Sequence, residues 1–329
     1  MMFDLYYLLV ALVSSLGLTY ALRLYALKQN VMDIPNARSS HSVPTPRGGG
    51  VAIVLVFLAV LAFSGLWLLF IAGSLVALVG WLDDHGHVKS GIRLMVHLSG
   101  SAMVVYAVGG LPVFNLFGFE QDWGLIGDVI AVLGVAWILN LYNFMDGIDG
   151  IAGVEAATSS LVAGLILWFV FAQNEQAWLN FYLSVAVLGF LAWNWPPAKI
   201  FMGDAGSGFL GLMLGGMMLY SASIVSEMLW VWLILLGVFV VDATFTLIRR
   251  LIRGDKLYEA HRSHAYQFAS RHHGGHKPVT LAVLAINLLW LSPVAYLVAI
   301  DWLDGVVGLL VSYVPLIWLA WKYNAGKAE

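Results

Sequence analysis

The sequence predicts an all-α, polytopic membrane protein of about eleven transmembrane helices, with its chemistry gathered on the cytoplasmic face. Three observations predict it. Of 329 residues, 61% are hydrophobic and only 11% charged, whereas soluble domains carry about 25% charged residues. Mean hydropathy is +0.86. Apolar windows of the ~20 residues that a helix needs to cross a bilayer recur along the whole chain and leave no room for a separate soluble domain. The chain therefore reads as one transmembrane domain, 1–329. These figures exclude a soluble enzyme, a disordered chain and a nucleic-acid binder built on a basic surface. The absence of Cys excludes disulfides, thiolate metal sites and a thiol nucleophile.

Taken in order, the first span, 4–27, lacks a basic amino-terminal flank and so reads as a span rather than a cleavable signal. Spans 49–64 and 66–82 are divided only by Ser64-Gly65. Spans 93–110, 126–142, 152–172 and 177–193 follow, the last ended by Asn194-Trp195-Pro196-Pro197, a helix stop. Spans 208–224, 228–248, 279–300 and 304–321 complete the set. The longest polar stretches are 28–50 and 249–278. Trp and Tyr near span ends read as interfacial anchors.

Eleven spans put the loops after spans 1, 3, 5, 7 and 9 on one face with the carboxyl tail. All 16 Lys and Arg then lie on that face or its helix ends. The opposite face carries acids only, among them Glu120, Asp122, Glu175, Glu227, Asp301 and Asp304. By the positive-inside rule the basic face is cytoplasmic and the amino terminus is outside. Merging 49–64 with 66–82 would swap the faces of everything downstream, so the charge split itself supports eleven.

All nine His share the basic face, as do five carboxylates placed where apolar helices give way to Gly-rich turns. Asp83-Asp84 end the third span. Asp146 and Asp149 sit in Asn140-Leu-Tyr-Asn143-Phe-Met-Asp146-Gly-Ile-Asp149-Gly, and Asp204 in Phe201-Met-Gly-Asp204-Ala-Gly-Ser-Gly. Converging aspartates without thiols favour a hard cation such as Mg²⁺, with Mn²⁺ as an alternative. Glycines let backbone approach phosphate, helix N-termini attract anions, and Arg and His add cationic donors. Acids for a metal and bases for phosphate at a membrane surface fit phosphoryl transfer involving a lipid.

Each feature also has a plain reading. Asp83-Asp84 read equally as a solvated helix end, the Asp-Gly pairs as turns, and Asp204 as a cap for a helix starting near Ser207. His261 and His264, three apart, share a helix face if helical. His272, His273 and His276 read as a solvated polar tract. Asp242 lies inside span nine with Thr246, Arg249 and Arg250 on its helix face, and structural and functional roles weigh equally.

Taken together these loops resemble the polyprenyl-phosphate N-acetylhexosamine-1-phosphate transferases, the superfamily of MraY-type and WecA-type enzymes (glycosyltransferase family 4). The resemblance runs from Asp33-Ile-Pro-Asn-Ala-Arg38-Ser-Ser-His41 to the His261 loop. It implies that Asp83 and Asp84 bind or activate a lipid phosphate, and that Asn140, Asn143, Asp146 and Asp149 line a nucleotide-sugar site. It further implies that Asp204 is a metal ligand and that Phe201 stacks on uracil; Asp146 is the expected second ligand. The segment Pro44-Thr45-Pro46-Arg47-Gly-Gly-Gly is similar to the family's first-loop motif. With Arg38, His41 and Lys89 it completes the expected substrate-binding set, while His261 and His264 resemble the family's His motif. Because that motif reads His-Arg-Ser-His rather than a triple His, the chain looks closest to the WbpL-like, O-antigen-initiating group.

The resemblance implies transfer of an N-acetylated amino-sugar 1-phosphate from a UDP-sugar to undecaprenyl phosphate, with UMP released. The expected setting is the bacterial inner membrane, with Mg²⁺ as cofactor, no nucleic-acid partner and a homodimer as a possible assembly. A covalent aspartyl route stays open beside direct displacement. Two other classes compete. A proton-coupled transporter would place its acids near the midplane, within repeats, and neither pattern is evident. A CDP-alcohol type phosphotransferase needs Asp-Gly-x-x-Ala-Arg, which the chain lacks.

Overall fold

The computed structural model describes residues 5–35, 39–86, 88–256 and 261–328. The chain is an all-α polytopic membrane protein. Helix α1 (Leu5–Gln29) is followed by a short antiparallel pair, β1 (Met32–Asp33) with β2 (Thr45–Pro46), then α2 (Val51–Phe63), α3 (Trp67–His85) and α4 (Ser90–Val108). A hairpin of β3 (Phe114–Leu116) and β4 (Phe119–Gln121), which hydropathy did not reveal, precedes α5 (Gly124–Met145). Next come α6 (Ile151–Phe169), α7 (Asn174–Asn194), α8 (Asp204–Ala222), α9 (Glu227–Leu235), α10 (Gly237–Arg253) and α11 (Ala265–His272). Helix α12 (His276–Ile286) runs through a five-residue π-turn, Asn287–Leu291, into α13 (Ser292–Ala299), and α14 (Gly305–Lys322) closes the bundle.

Among the described residues, nine helical stretches are long and apolar enough to cross a membrane, ten with α9 and α10 taken as one bent span. The expected eleventh is α2. Its 13 residues reach about 20 Å, short of the ~30 Å hydrocarbon layer.

Small residues decide what lies in the centre. Lipid is as apolar as Leu, so close backbone approach, not hydrophobicity, drives packing between spans. Helix α8 carries Gly206, Gly208, Gly211, Gly215 and Gly216 and is buried almost throughout, against α3 and α5 above all. A Cβ on Gly211 would lie 2.6 Å from the Cα of Leu139 in α5. Helix α6 is the second buried helix, while α1, α4 and α14 turn Leu, Val, Tyr and Trp outward to lipid.

Broken helices inside a bilayer need their freed backbone groups satisfied. Helices α9 and α10 meet at 68° about Leu236, where the sequence suggested one straight span. The Leu233 carbonyl accepts the Tyr313 hydroxyl at 2.8 Å and the Leu235 carbonyl the Ser159 hydroxyl at 3.2 Å. Glu155, fully buried in α6, accepts from Asn287 Nδ2 of the π-turn at 2.8 Å. It is a carboxylate that sequence reasoning passed over.

Loops alternate between two ends. The segments after α1, α3, α5, α7 and α10 meet at one end with the carboxyl tail, through bonds such as Phe201 N–H to Pro46 O, Arg23 to Lys199 O and Arg253 to Gly326 O. At the other end Trp230 donates to Asn115 O, joining α9 to the hairpin.

Candidate active site

At the first of these ends lies a cavity of about 220 Å³ lined by aspartates from four separate segments of the chain. It is built around the start of α8. That helix begins at Asp204 itself, not near Ser207, with Gly203 as the residue before it. The first N–H groups of a helix have no partner within it. Asp84 supplies one: its carboxylate accepts the N–H of Asp204 at 3.1 Å and of Ala205 at 3.3 Å, and pairs with Arg47 at 3.2 Å. The approach is close because two glycines permit it. A Cβ on Gly80 would stand 2.5 Å from the Asp204 carbonyl, and one on Gly203 (φ +79°) 2.6 Å from Asp84 Oδ2.

Asp83 points elsewhere. It accepts the Val88 N–H at 2.8 Å and pairs with Arg93, whose guanidinium also lies 3.5 Å from Asp204 Oδ2. Arg93 thus joins the two aspartates. Asp204 Oδ1 accepts from Asn143 Nδ2 at 3.3 Å. Asn140, one turn earlier on α5, turns to His97 at 3.2 Å and stays outside the cavity.

Asp146 follows the end of α5 and lines the cavity. Burial, then the negative charges of Asp204, Asp84 and Asp149, push its carboxyl well above the usual range. No basic side chain pairs with it among the described residues. Asp149 behaves oppositely. Burial raises it, but His276 and the Ala198 N–H, at 3.0 Å on separate oxygens, outweigh that and hold it low. Facing them, the rings of His41 and Phe201 meet edge to face at 4.8 Å.

The last wall is α11. Asp242 accepts the N–H of Ala265 at 2.9 Å, of Tyr266 at 3.0 Å and the Thr246 hydroxyl at 3.1 Å. A carboxylate inside a span thereby caps a helix at the surface. The Tyr266 hydroxyl donates to Phe144 O at 3.0 Å, and Gln267 lines the cavity. His264 caps α11 and stacks between His261 and Tyr266, behind the cavity wall. Burial, then the neighbouring His264, lowers His261 to about 3, so it is a neutral ring at physiological pH and not a counter-charge.

Of the residues that the sequence singled out, the cavity gathers Asp84, Asp146, Asp149, Asp204, Asn143, Arg47, His41 and Phe201. Asp83 touches it through Arg93. Lys89 immediately precedes α4, Thr45 sits in β2 with its hydroxyl on Val43 O, and Asn140, His261 and His264 stand outside. Arg38 lies outside the described residues. Sequence reasoning missed Arg93, Ser40, Gln267 and His276. For His276 a signal existed: Gly274-Gly275 before it and Pro278 after it mark a helix start.

No three His, Asp or Glu side chains converge into a closed metal cage among the described residues. A fit to Mg²⁺, which is bound through one or two carboxylates plus substrate phosphates, rests on Asp146 and Asp204 alone. Asp146 and Asp204 are all-oxygen donors, and the unrelieved crowding of charge at Asp146 is what a divalent cation would offset.

The sequence profile of glycosyl transferase family 4 matches residues 66–222, a stretch that spans all five aspartates of the site. The match covers just under half of the chain. Relatives extend the likeness beyond that stretch. A Bacillus subtilis (strain 168) protein named "Probable undecaprenyl-phosphate N-acetylglucosaminyl 1-phosphate transferase" is 28% identical over 94% of this chain and 89% of its own length. An undecaprenyl-phosphate alpha-N-acetylglucosaminyl 1-phosphate transferase of Thermotoga maritima is 29% identical, over 86% and 89%. A phospho-N-acetylmuramoyl-pentapeptide-transferase of Streptococcus pyogenes is 28% identical, over 72% and 77%.

Proposed function

We propose that this protein transfers an N-acetylated amino-sugar 1-phosphate from a UDP-sugar to undecaprenyl phosphate. The observation that carries the reading is the cavity itself. Asp84, Asp146, Asp149 and Asp204, with Arg47, the aromatic pair and Arg93 at the edge, meet at one end of a helical bundle. The names of the relatives point to the same acceptor. In the reaction, an oxygen of the lipid phosphate attacks the β-phosphorus of the donor. The bond from that phosphorus to the bridging oxygen breaks, UMP leaves with that oxygen, and an undecaprenyl-diphosphate sugar forms.

A phosphomonoester is largely ionised at neutral pH, its second pKa being about 6. A strong base is therefore unnecessary, and neutralising two anions is the main task. Mg²⁺ (or Mn²⁺) held by Asp204 and Asp146 would supply Lewis-acid neutralisation of the diphosphate. The chain's own residues do the rest. Asp84 fixes the start of α8, so that Asp204 stands at a helix N-terminus. Asn143 orients Asp204. Arg93 and Arg47 bring positive charge to the cavity edge, and Lys89 and Arg38 are further candidates. His41 and Phe201 offer ring faces to a base. Asp83, held by Arg93, is placed to orient the lipid phosphate once that arginine turns to it.

The basic end is assigned to the cytoplasm of a bacterial inner membrane, where nucleotide sugars are available. Initiation of O-antigen or another envelope polysaccharide is the proposed role. The His-Arg-Ser-His motif favours donors such as 6-deoxy N-acetylated amino sugars. A transport reading would rest on the broken pair α9–α10, but the freed carbonyls there bond to Tyr313 and Ser159.

The test uses detergent-purified protein, undecaprenyl phosphate and Mg²⁺ with a panel of UDP-sugars (GlcNAc, GalNAc, QuiNAc, FucNAc and MurNAc-pentapeptide). UMP release with one donor, accompanied by its lipid product and abolished by EDTA, is expected. Folded protein that releases no UMP with any donor sinks the reading, because transport needs a compartment and transfer does not.

A further inference from the structure

His276 opens α12 and lines the cavity. Its Nδ1 stands 3.0 Å from Asp149 Oδ1, and its Nε2 stands 3.0 Å from the carbonyl oxygen of Ser40. Both partners are acceptors. A neutral imidazole donates from one nitrogen only, whereas the imidazolium donates from both. In the cation both contacts are donations; in the neutral ring protonated at Nε2 the Ser40 bond stays, and Nδ1 accepts the Asp149 N–H at 3.3 Å in place of the carboxylate bond. The next residue along the chain from Ser40 is His41, whose ring meets Phe201 at 4.8 Å and whose Nε2 lies 3.6 Å from Asp33. Asp149 is fixed on its other side by the Ala198 N–H and by the Thr280 hydroxyl on its carbonyl. One ring thus ties a loop between α1 and α2 to a rigid floor made by α6, α7 and α12.

We propose that His276, as an imidazolium, is a positioning residue for the donor nucleotide: it straps Ser40 to Asp149 and so holds His41 against Phe201 as one wall of the cavity. The proposal rests on the donor reading above. The charged groups facing the ring are Asp149 from the α5–α6 turn and, on the strapped loop, His41 and Asp33. None of these can replace the second donor. When the proton leaves, the bond to the Asp149 carboxylate is lost and only the longer one from the Asp149 N–H to Nδ1 remains, so the loop is held less tightly. The wall is then less ordered until the nucleotide arrives. Ordering it at that moment weakens donor binding without altering the reacting groups.

The chain has no Cys, so paired spin labels can be placed at will. Val43→Cys on the loop and Leu281→Cys on α12, both exposed, report the strap directly in full-length protein in nanodiscs. A narrow distance distribution is expected at about pH 6 and a broad one at about pH 9, either side of the ordinary His range. His276→Ala is expected to be broad at both. His276→Lys, charged at both and able to donate to both acceptors, is expected to be narrow at both. In turnover, His276→Ala is expected to raise the KM for the UDP-sugar by about tenfold, the worth of one charge-assisted hydrogen bond, with kcat within about threefold. The wild-type KM should climb with pH and that of His276→Lys should not. Identical distributions for wild type at both pH values, or an unchanged donor KM in His276→Ala, overturns the proposal. The distances need no nucleotide. A failure of the transferase reading would show as absent turnover with the pH-dependent distances intact, and a failure of the strap would show as the reverse.

Discussion

Asp84 and Asp204 divide between them what the sequence offered as one class of residue. Asp84 spends both oxygens on the open end of α8 and on Arg47, whereas Asp204 keeps a face toward the cavity. Their variants should differ in kind. Asp204→Ala should lose nearly all turnover while the protein stays folded, measured by UMP release beside a thermal melt. Asp84→Ala should lose activity and also stability, by about 1–3 kcal/mol for two unpaired N–H groups. Equal melts for the two variants would refute that division. Asp149 carries a pH signature. Its carboxyl is held below its usual value by His276 and the Ala198 N–H against burial. A group depressed in the folded state stabilises fully above its unfolded pKa, about 3.9. That contribution is lost as pH falls through the lower folded value. Melting in detergent below about pH 4 should therefore drop less steeply in Asp149→Asn than in wild type.

The helices were legible by hydropathy and their ends were not. Most spans lie within a few residues of their expected bounds, because a bilayer imposes length and apolarity together. The start of α8 was read about three residues late, since Gly203-Asp204-Ala-Gly looks like a turn until Asp84 is seen to cap it. The 68° break at Leu236 is marked locally by Gly237 alone, with neither Pro nor a polar run. It is held by Tyr313 and Ser159 from other helices, which no window of sequence contains. Asp242 was ambiguous for the same reason: its partners are N–H groups more than twenty residues on. Removing it should unseat α11. Asp242→Ala is expected to lower both melting temperature and turnover, with Asp242→Asn restoring part of each, because the amide oxygen still accepts. Close approach gives a second test. Gly80→Ala would push a methyl against the Asp204 carbonyl at 2.5 Å, costing about 1–3 kcal/mol by overpacking. Gly17→Ala, in the open, should cost nothing.

Across the whole molecule the site was legible as a set and not as a geometry. The five aspartates were found because each sits at a Gly-rich helix end on one face. Which of them face the cavity depends on helix phase and on partners such as Arg93 and His276, brought in from loops far along the chain. The polarity of the bundle is itself a prediction. The described Lys and Arg lie in segments at the site end, so Phe117→Cys in the hairpin should react with a membrane-impermeant maleimide on intact cells. Val43→Cys should react only after the membrane is opened. Both residues are exposed, and the lack of native Cys leaves no background. Labelling in the reverse pattern would move the site to the other side of the membrane and remove its access to nucleotide sugars.

Glu155 also constrains how the protein is made. Its partner Asn287 is translated 132 residues later, a delay on the order of ten seconds at about 5–20 residues per second. Throughout that interval α6 carries a carboxyl without its Asn287 partner, and an acidic side chain within a span opposes insertion. One of the two most enclosed helices is thus among the least willing to enter lipid alone. The ribosome must be nearly finished before the middle of the bundle can close, so biogenesis of this protein ends at its core.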